Sequence, residues 1–214
     1  MSPRGGNDGD GGLSVAHART IILASTSPRR TALLTQIGLT HTVIRPANDD
    51  ESVAANLTPD QVVLQLAKRK AQSVASDLTE AASVIGCDTV VSLNGAILGK
   101  PADAFAAREM LSALSGRRHE VYSGVAVVSV PEGLVRLGYR QVEVEFCELS
   151  DSAIAEYVKT GEPLDKAGAY SIQGRAAPFI RGIRGDYYAV VGLPLQLTVE
   201  LLALSADATP DTSL

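Results

Sequence analysis

The sequence predicts an α/β protein: a mixed, elongated, twisted sheet flanked by helices, in two lobes around a central cleft. Three observations carry that expectation. Ile21–Ala24 is a short apolar run of the kind a buried strand shows, and it breaks into the hydroxyls of Ser25, Thr26 and Ser27 before a helix opens at Pro28. Val84–Val91 is a second apolar run, turning back through Asn94-Gly95, the standard two-residue hairpin signal. Around these, helical and strand patterns alternate along the chain.

The first helix follows from Ser27 as N-cap and Pro28 at the first helical position, with Leu33, Leu34 and Ile37 as its apolar stripe and Gly38 as its stop. Arg29 and Arg30 fall in the first turn, where unpaired N–H groups and the helix dipole disfavour cations by roughly a few tenths of a kcal/mol. An anion reverses that penalty. Backbone donors, hydroxyls and two guanidiniums at one helix start describe a phosphate site; a capped surface helix with two solvated arginines is the plain alternative for this stretch alone.

Thr42–Arg45 reads as a strand, and residues 46–56 as an acidic, turn-rich loop carrying Asp49, Asp50 and Glu51. Such carboxylates are either a solvated loop or hard oxygen ligands suited to Mg²⁺ beside a phosphate. Thr58-Pro59-Asp60 starts a helix whose Val63, Leu66, Ala67, Ala71 and Val74 keep helical spacing to about Ser76. Its Lys68, Arg69 and Lys70 fan out around the axis, so at most one or two reach a common site.

Asp88 interrupts the second apolar run. A carboxylate there is costly unless it is paired, hydrogen-bonded or bound to a metal; capping a turn or pairing with an arginine is the structural alternative. A regular hairpin through Asn94-Gly95 sets Lys100 opposite Thr89 and facing away from Asp88, unless a bulge intervenes or the strand ends at Gly99-Lys100-Pro101.

Asp103 opens a helix with Phe105, Met110, Leu111 and Leu114 toward the core and Gly116 closing it. Residues 119–130 and 134–147 read as an antiparallel pair around Pro131-Glu132-Gly133, with Gly124 suggesting a bulge or a backbone approached closely by a ligand. Ser150-Asp151 starts a helix to Lys159, ended by Gly161. Residues 161–174 look like a binding loop, with glycines among Glu162, Asp165, Lys166 and Gln173. The side-chain amide of Gln173 matches the paired acceptor and donor on the edge of a uracil or thymine ring, although a loop glutamine is more often simply solvated. Tyr187–Val191 reads as a last strand and Pro194–Leu204 as a last helix.

Composition sets outer limits. The chain has 214 residues, 45% hydrophobic and 20% charged, with a net charge of −5, which argues against a general nucleic-acid binder. Cys87 and Cys147 read as buried free thiols, and His17, His41 and His119 form no cluster with them. No apolar stretch is long enough to span a membrane and residues 1–19 lack a secretory segment, so a cytoplasmic location is expected. Residues 1–19 and 205–214 are too polar and glycine-rich to fold, which leaves 20–204 as the folded domain. The leader's glycines precede the first strand, unlike a dinucleotide fingerprint, and no Gly-x-x-x-x-Gly-Lys-Ser/Thr occurs, which excludes a P-loop kinase.

Four blocks resemble the Maf, or septum-formation, nucleotide pyrophosphatases across residues 20–204. They are Ser25-Thr26-Ser27-Pro28-Arg29-Arg30, Cys87-Asp88-Thr89-Val90-Val91 with Gly99-Lys100-Pro101, the run from Gly161 through Tyr170-Ser171-Ile172-Gln173-Gly174, and Gly185-Asp186-Tyr187-Tyr188-Ala189-Val190-Val191-Gly192-Leu193-Pro194. The resemblance implies metal-dependent hydrolysis of nucleoside triphosphates to monophosphate and pyrophosphate, and the Tyr-Ser-Ile-Gln-Gly block resembles the dTTP- and UTP-preferring branch. It implies Asp88 as general base, Ser25, Arg30, Lys70 and Lys100 as phosphate-binding residues, and Arg29, Thr89 and Gln173 as readers of the base. Mg²⁺ or Mn²⁺ would sit on Asp88 and one further carboxylate. Where the family has a Val-Asp-Glu-like pair this chain has Asn48-Asp49-Asp50-Glu51; ungapped counting from Gly38 selects Asp50 and motif matching selects Glu51. The partner expected is a nucleoside triphosphate, with neither nucleic acid nor membrane, and a homodimer is left open. A 7-methyl-GTP substrate and a non-catalytic nucleotide-sensing regulator of cell division are the competing readings; Gln173 and Thr89 argue against the first and the intact Asp88 against the second.

Overall fold

The structure, a computed structural model, describes residues 19–47, 52–54 and 56–206. Asp49, Asp50 and Glu51 lie outside the described residues, as do most of the two terminal segments. The chain runs β1 (Thr20–Ala24), α1 (Pro28–Gln36), β2 (Thr42–Ile44), α2 (Pro59–Ala75), β3 (Ala82–Leu93), β4 (Ala96–Leu98) and α3 (Ala104–Leu114). It continues through β5 (Arg118–Val130), β6 (Val135–Phe146), α4 (Asp151–Lys159), three short 3₁₀ turns, β7 (Ile180–Arg184), α5 (Tyr187–Val191) and α6 (Leu195–Ala206). No described helix is long and apolar enough to cross a membrane.

Seven strands form one mixed sheet in the order β2-β1-β3-β5-β6-β7, with β4 on the far end of β3. β1 lies parallel to β2 and β3, while β3, β5, β6 and β7 alternate antiparallel. The long strands β3 and β5 run through both lobes. One lobe packs Leu34, Ile85, Leu193 and Leu202 between the sheet and helices α1 and α6; the other packs Leu111, Leu114, Val121 and Phe146 under α3 and α4. The opposite sheet face is covered by α2, whose backbone comes so close that a methyl group at Gly86 would sit 2.1 Å from the Ala67 carbonyl oxygen.

The sheet has a break in its middle, and the cleft follows from it. β1 pairs with β3 only as far as Ala24↔Gly86, and β4 joins only from Leu98↔Val91. Between them, Cys87–Val90 keep β5 on one side and, among the described residues, have no strand on the other. Chain that leaves β1 at Ser25, and chain that leaves β4 at Gly99, therefore turn aside around an opening.

Several sequence expectations need correction. Tyr187–Val191 is a helix: the Asp186 side chain caps it by accepting from Tyr188 N–H at 2.9 Å, and Gly192 at φ +124° ends it, so capping prevails over the strand preference of the aromatic and β-branched run. Phe105 is 71% exposed rather than in the core, because α3 buries the face of Ala107, Leu111 and Leu114. Gly124 marks neither a bulge nor a ligand; the β3–β5 register is regular there, and Val63 of α2 fills the space where a side chain would go. Cys87 is buried, its thiol pushed up to about 11 by desolvation, whereas Cys147 is only half-buried. The ends of the fold also extend past the expected limits. Arg19 is tied to Glu132 at 2.6 Å, and α6 continues through a buried Ser205 to Ala206.

Candidate active site

The opening beside Cys87–Val90 is the mouth of a pocket of about 710 Å³. Ser25, Arg29, Arg30, Lys70, Asp88, Thr89, Lys100 and Gln173 all line it, so the described residues to which the family resemblance gives a role meet in one place. They arrive from β1, α1, α2, β3, the end of β4 and the loop after α4.

Successive residues of β3 point to opposite faces, and this sorts the chemistry. Asp88 faces α2, where Lys70 Nζ donates to its Oδ1 at 2.6 Å and both side chains are buried. Of the three adjacent cations on α2 this is the one that reaches the pocket; Lys68 is exposed, and Arg69 donates to the Ser52 carbonyl at 2.9 Å. Thr89 faces the other way, toward α1 and α5. Lys100 escapes the sheet because β4 stops at Leu98, which is the strand ending that its approach to the pocket required.

The β1–α1 loop is ordered by its hydroxyls and by Arg30. Ser25 Oγ accepts from Ser27 N–H at 3.1 Å and from Arg30 Nη1 at 3.3 Å, so Ser25 takes up the donor end of the helix while the Ser27 side chain makes no capping bond. Arg30 Nε donates to the Gly192 carbonyl at 2.9 Å, and Nη2 to Thr89 Oγ1 at 3.4 Å. Arg29 is half-buried, its guanidinium pKa lowered chiefly by burial, with Asp165 opposing that shift and Arg30 adding to it. Its Nε has no hydrogen-bond partner among the described residues, which suits a site that receives an acceptor.

The loop after α4 is held from beneath. Glu162 accepts from Arg175 N–H at 3.0 and 3.1 Å and from Tyr157 O–H at 2.9 Å, and its carboxylate occupies the space that a side chain at position 174 would enter. Thus Glu162, expected as part of a binding surface, instead props the turn that carries Gln173 to the pocket rim. Lys166 pairs with its neighbour Asp165. Tyr170 lines the pocket from the buried side, its hydroxyl 2.8 Å from His119 Nε2.

Sequence reading missed the linking role of Ser123. Its Oγ donates to the Ala189 carbonyl at 2.7 Å and meets Thr89 Oγ1 at 2.7 Å, tying β3 and β5 to α5. A hydroxyl within an apolar strand is the same signal that marked Asp88, but its partners become visible only in three dimensions.

A split α/β sheet that gathers cations, hydroxyls and one buried carboxylate at its gap defines a protein built to hold a phosphorylated small molecule. The fold is shared with the Ham1 protein of Staphylococcus aureus, whose structure matches with a TM-score of 0.50 at 17% identity, over 86% of this chain and 98% of that one. The chain belongs to the Maf-like protein family, whose model matches residues 20–204. Among its curated relatives, the dTTP/UTP pyrophosphatase of Moorella thermoacetica is 52% identical over 86% of this chain and 94% of its own length. Those of Symbiobacterium thermophilum, at 51% over 85% and 92%, and Bacillus cereus, at 44% over 89% and 98%, carry the same description.

Proposed function

We propose that this chain is a nucleoside triphosphate pyrophosphatase that hydrolyses dTTP and UTP to the monophosphate and pyrophosphate. The observation that carries the reading is the buried Asp88–Lys70 pair set in a break of the sheet, with Arg30, Lys100 and the Ser25 hydroxyl around the same opening. Relatives at 44–52% identity bearing the dTTP/UTP pyrophosphatase description support the substrate class.

In this reading the triphosphate lies across the gap. Arg30, Lys70 and Lys100 bind its oxygens, and Ser25 adds a hydroxyl donor. Asp88 takes the proton of a water whose oxygen bonds to the α-phosphorus, while the bond from that phosphorus to the bridging oxygen breaks and its electron pair leaves with pyrophosphate. The surrounding cations balance the charge that develops on the phosphate oxygens. Arg29, Thr89 and Gln173 contact the base.

The donor set suits a hard divalent cation such as Mg²⁺ or Mn²⁺. Among the described residues no three His, Cys, Asp or Glu side chains cluster, so Asp88 would hold such an ion with substrate oxygens and water, the usual arrangement for Mg²⁺ at phosphates. Asp50 or Glu51 would be the further carboxylate. When bound, the ion would neutralise phosphate charge and favour departure of pyrophosphate.

The reading is tested by pyrophosphate release from dTTP, UTP, CTP, GTP, ATP and 7-methyl-GTP with Mg²⁺ or Mn²⁺, wild type beside Asp88→Asn. Turnover of dTTP and UTP is expected, falling by roughly 10²–10⁴ in the variant while the fold persists. Binding of dTTP without turnover would remove the catalytic reading in favour of a nucleotide sensor, and preference for 7-methyl-GTP would reassign the substrate.

A further inference from the structure

Two hydroxyls in the pocket have their proton directions set by their neighbours. A hydroxyl has one proton to give and two lone pairs that accept. Ser25 Oγ already accepts twice, from Ser27 N–H and from Arg30 Nη1, so what it has left for a ligand is its proton. Thr89 is the reverse case. The Ala189 carbonyl, 2.7 Å from Ser123 Oγ, can only accept, so the Ser123 proton goes there. Ser123 therefore accepts from Thr89 across their 2.7 Å contact, and the Thr89 proton is committed. One lone pair of Thr89 faces Arg30 Nη2 at 3.4 Å, and the other is what Thr89 offers the pocket it lines.

This polarity sorts a nucleoside triphosphate along the pocket. Phosphate oxygens only accept, so they meet Ser25 favourably and Thr89 unfavourably. We infer that Ser123, fully buried and outside the pocket lining, is a specificity-determining positioning residue. By holding the Thr89 proton it makes that wall an acceptor, and the ligand atom it selects is the ring N3–H of uracil or thymine, which leaves the Gln173 amide to donate its N–H to a ring carbonyl. Cytosine carries an acceptor nitrogen at the same place and is rejected, because two acceptors then face each other in a partly dry site. The inference rests on the dTTP and UTP reading of the pocket. A sugar hydroxyl is the other donor such a ligand carries, and the test separates the two.

The experiment measures kcat and KM for UTP, CTP, N3-methyl-UTP and 3′-deoxy-UTP with wild type, Ser123→Ala and Ser123→Cys. Wild type is expected to use UTP at least tenfold better than CTP or N3-methyl-UTP, and to use 3′-deoxy-UTP like UTP. In Ser123→Ala the Thr89 hydroxyl is released to turn and donate. The UTP-to-CTP ratio of kcat/KM then falls by about tenfold, through KM rather than kcat. Ser123→Cys, which keeps a weak donor, falls between. An unchanged ratio in folded Ser123→Ala overturns the inference alone, as does a wild-type penalty confined to 3′-deoxy-UTP. Equal use of N3-methyl-UTP and UTP by wild type overturns it even if both variants fail to fold. A wild type that turns over no pyrimidine triphosphate sinks the dTTP and UTP reading, and the inference with it.

Discussion

Asp88 and Lys70 meet at 2.6 Å with both side chains almost wholly out of water. Removing one partner of such a pair leaves the other short of compensation, so Lys70→Ala is expected to cost about 3 kcal/mol, read as a shift of the urea midpoint at constant m-value. An unshifted midpoint would show that the contact contributes little to folding. At this scale much of the site was legible in the sequence. Asp88 and Ser25 announced themselves as polar residues where apolar ones belong, and Lys70 was one of three adjacent cations of which few could converge. Which of the three reaches the pocket, and that Glu162 supports rather than lines it, depends on helix phase and on a loop returning from far along the chain.

Among the elements, α2 approaches β3 and β5 more closely than any side chain at the two crossings would permit. Gly86 and Gly124 face the α2 backbone at Ala67 and Val63, where an added methyl carbon would lie 2.1 and 2.6 Å from carbonyl oxygens. Gly86→Ala must therefore push α2 off the sheet, at an expected cost of about 3 kcal/mol or more, seen as a lowered Tm and weakened pyrophosphatase activity, since α2 carries Lys70. Retention of wild-type Tm would mean that the helix yields without loss. The hairpin register was readable because Asn94-Gly95 fixes it locally. The α5 helix was not, because its Tyr-Tyr-Ala-Val-Val composition favours a strand and only the flanking Asp186 and Gly192 argue for a turn of helix.

For the molecule as a whole, the buried His119 links folding to acidity. It packs edge-on against Phe146 and Tyr170, and burial lowers its pKa to about 4. In the unfolded chain it titrates near 6.5, so between these values the unfolded state holds the extra proton. Its contribution is intact above pH 6.5 and is lost as the pH falls through that window, by about 3 kcal/mol in all. Urea midpoints from pH 7 to pH 4 should therefore fall less steeply for His119→Gln than for wild type; parallel slopes would rule the histidine out as the cause. The two-lobed α/β architecture was legible from the alternation of elements, but the break at Cys87–Val90 was not. Where β1 stops and β4 starts is settled by pairing across the sheet.

That break also bears on self-association. An unpaired strand edge is a template on which a second chain can pair. The outer edges of this sheet are protected in familiar ways: β2 is only three residues long, and β7 carries the exposed Arg181 and Arg184. The inner edge at Cys87–Val90 is placed differently, on a strand inside the sheet order, with α2 on one face, α1 and α5 on the other, and Asp88 and Thr89 lining the pocket. The edge that faces the ligand pocket thus lies within the sheet and not at its rim, where a second chain would add a strand.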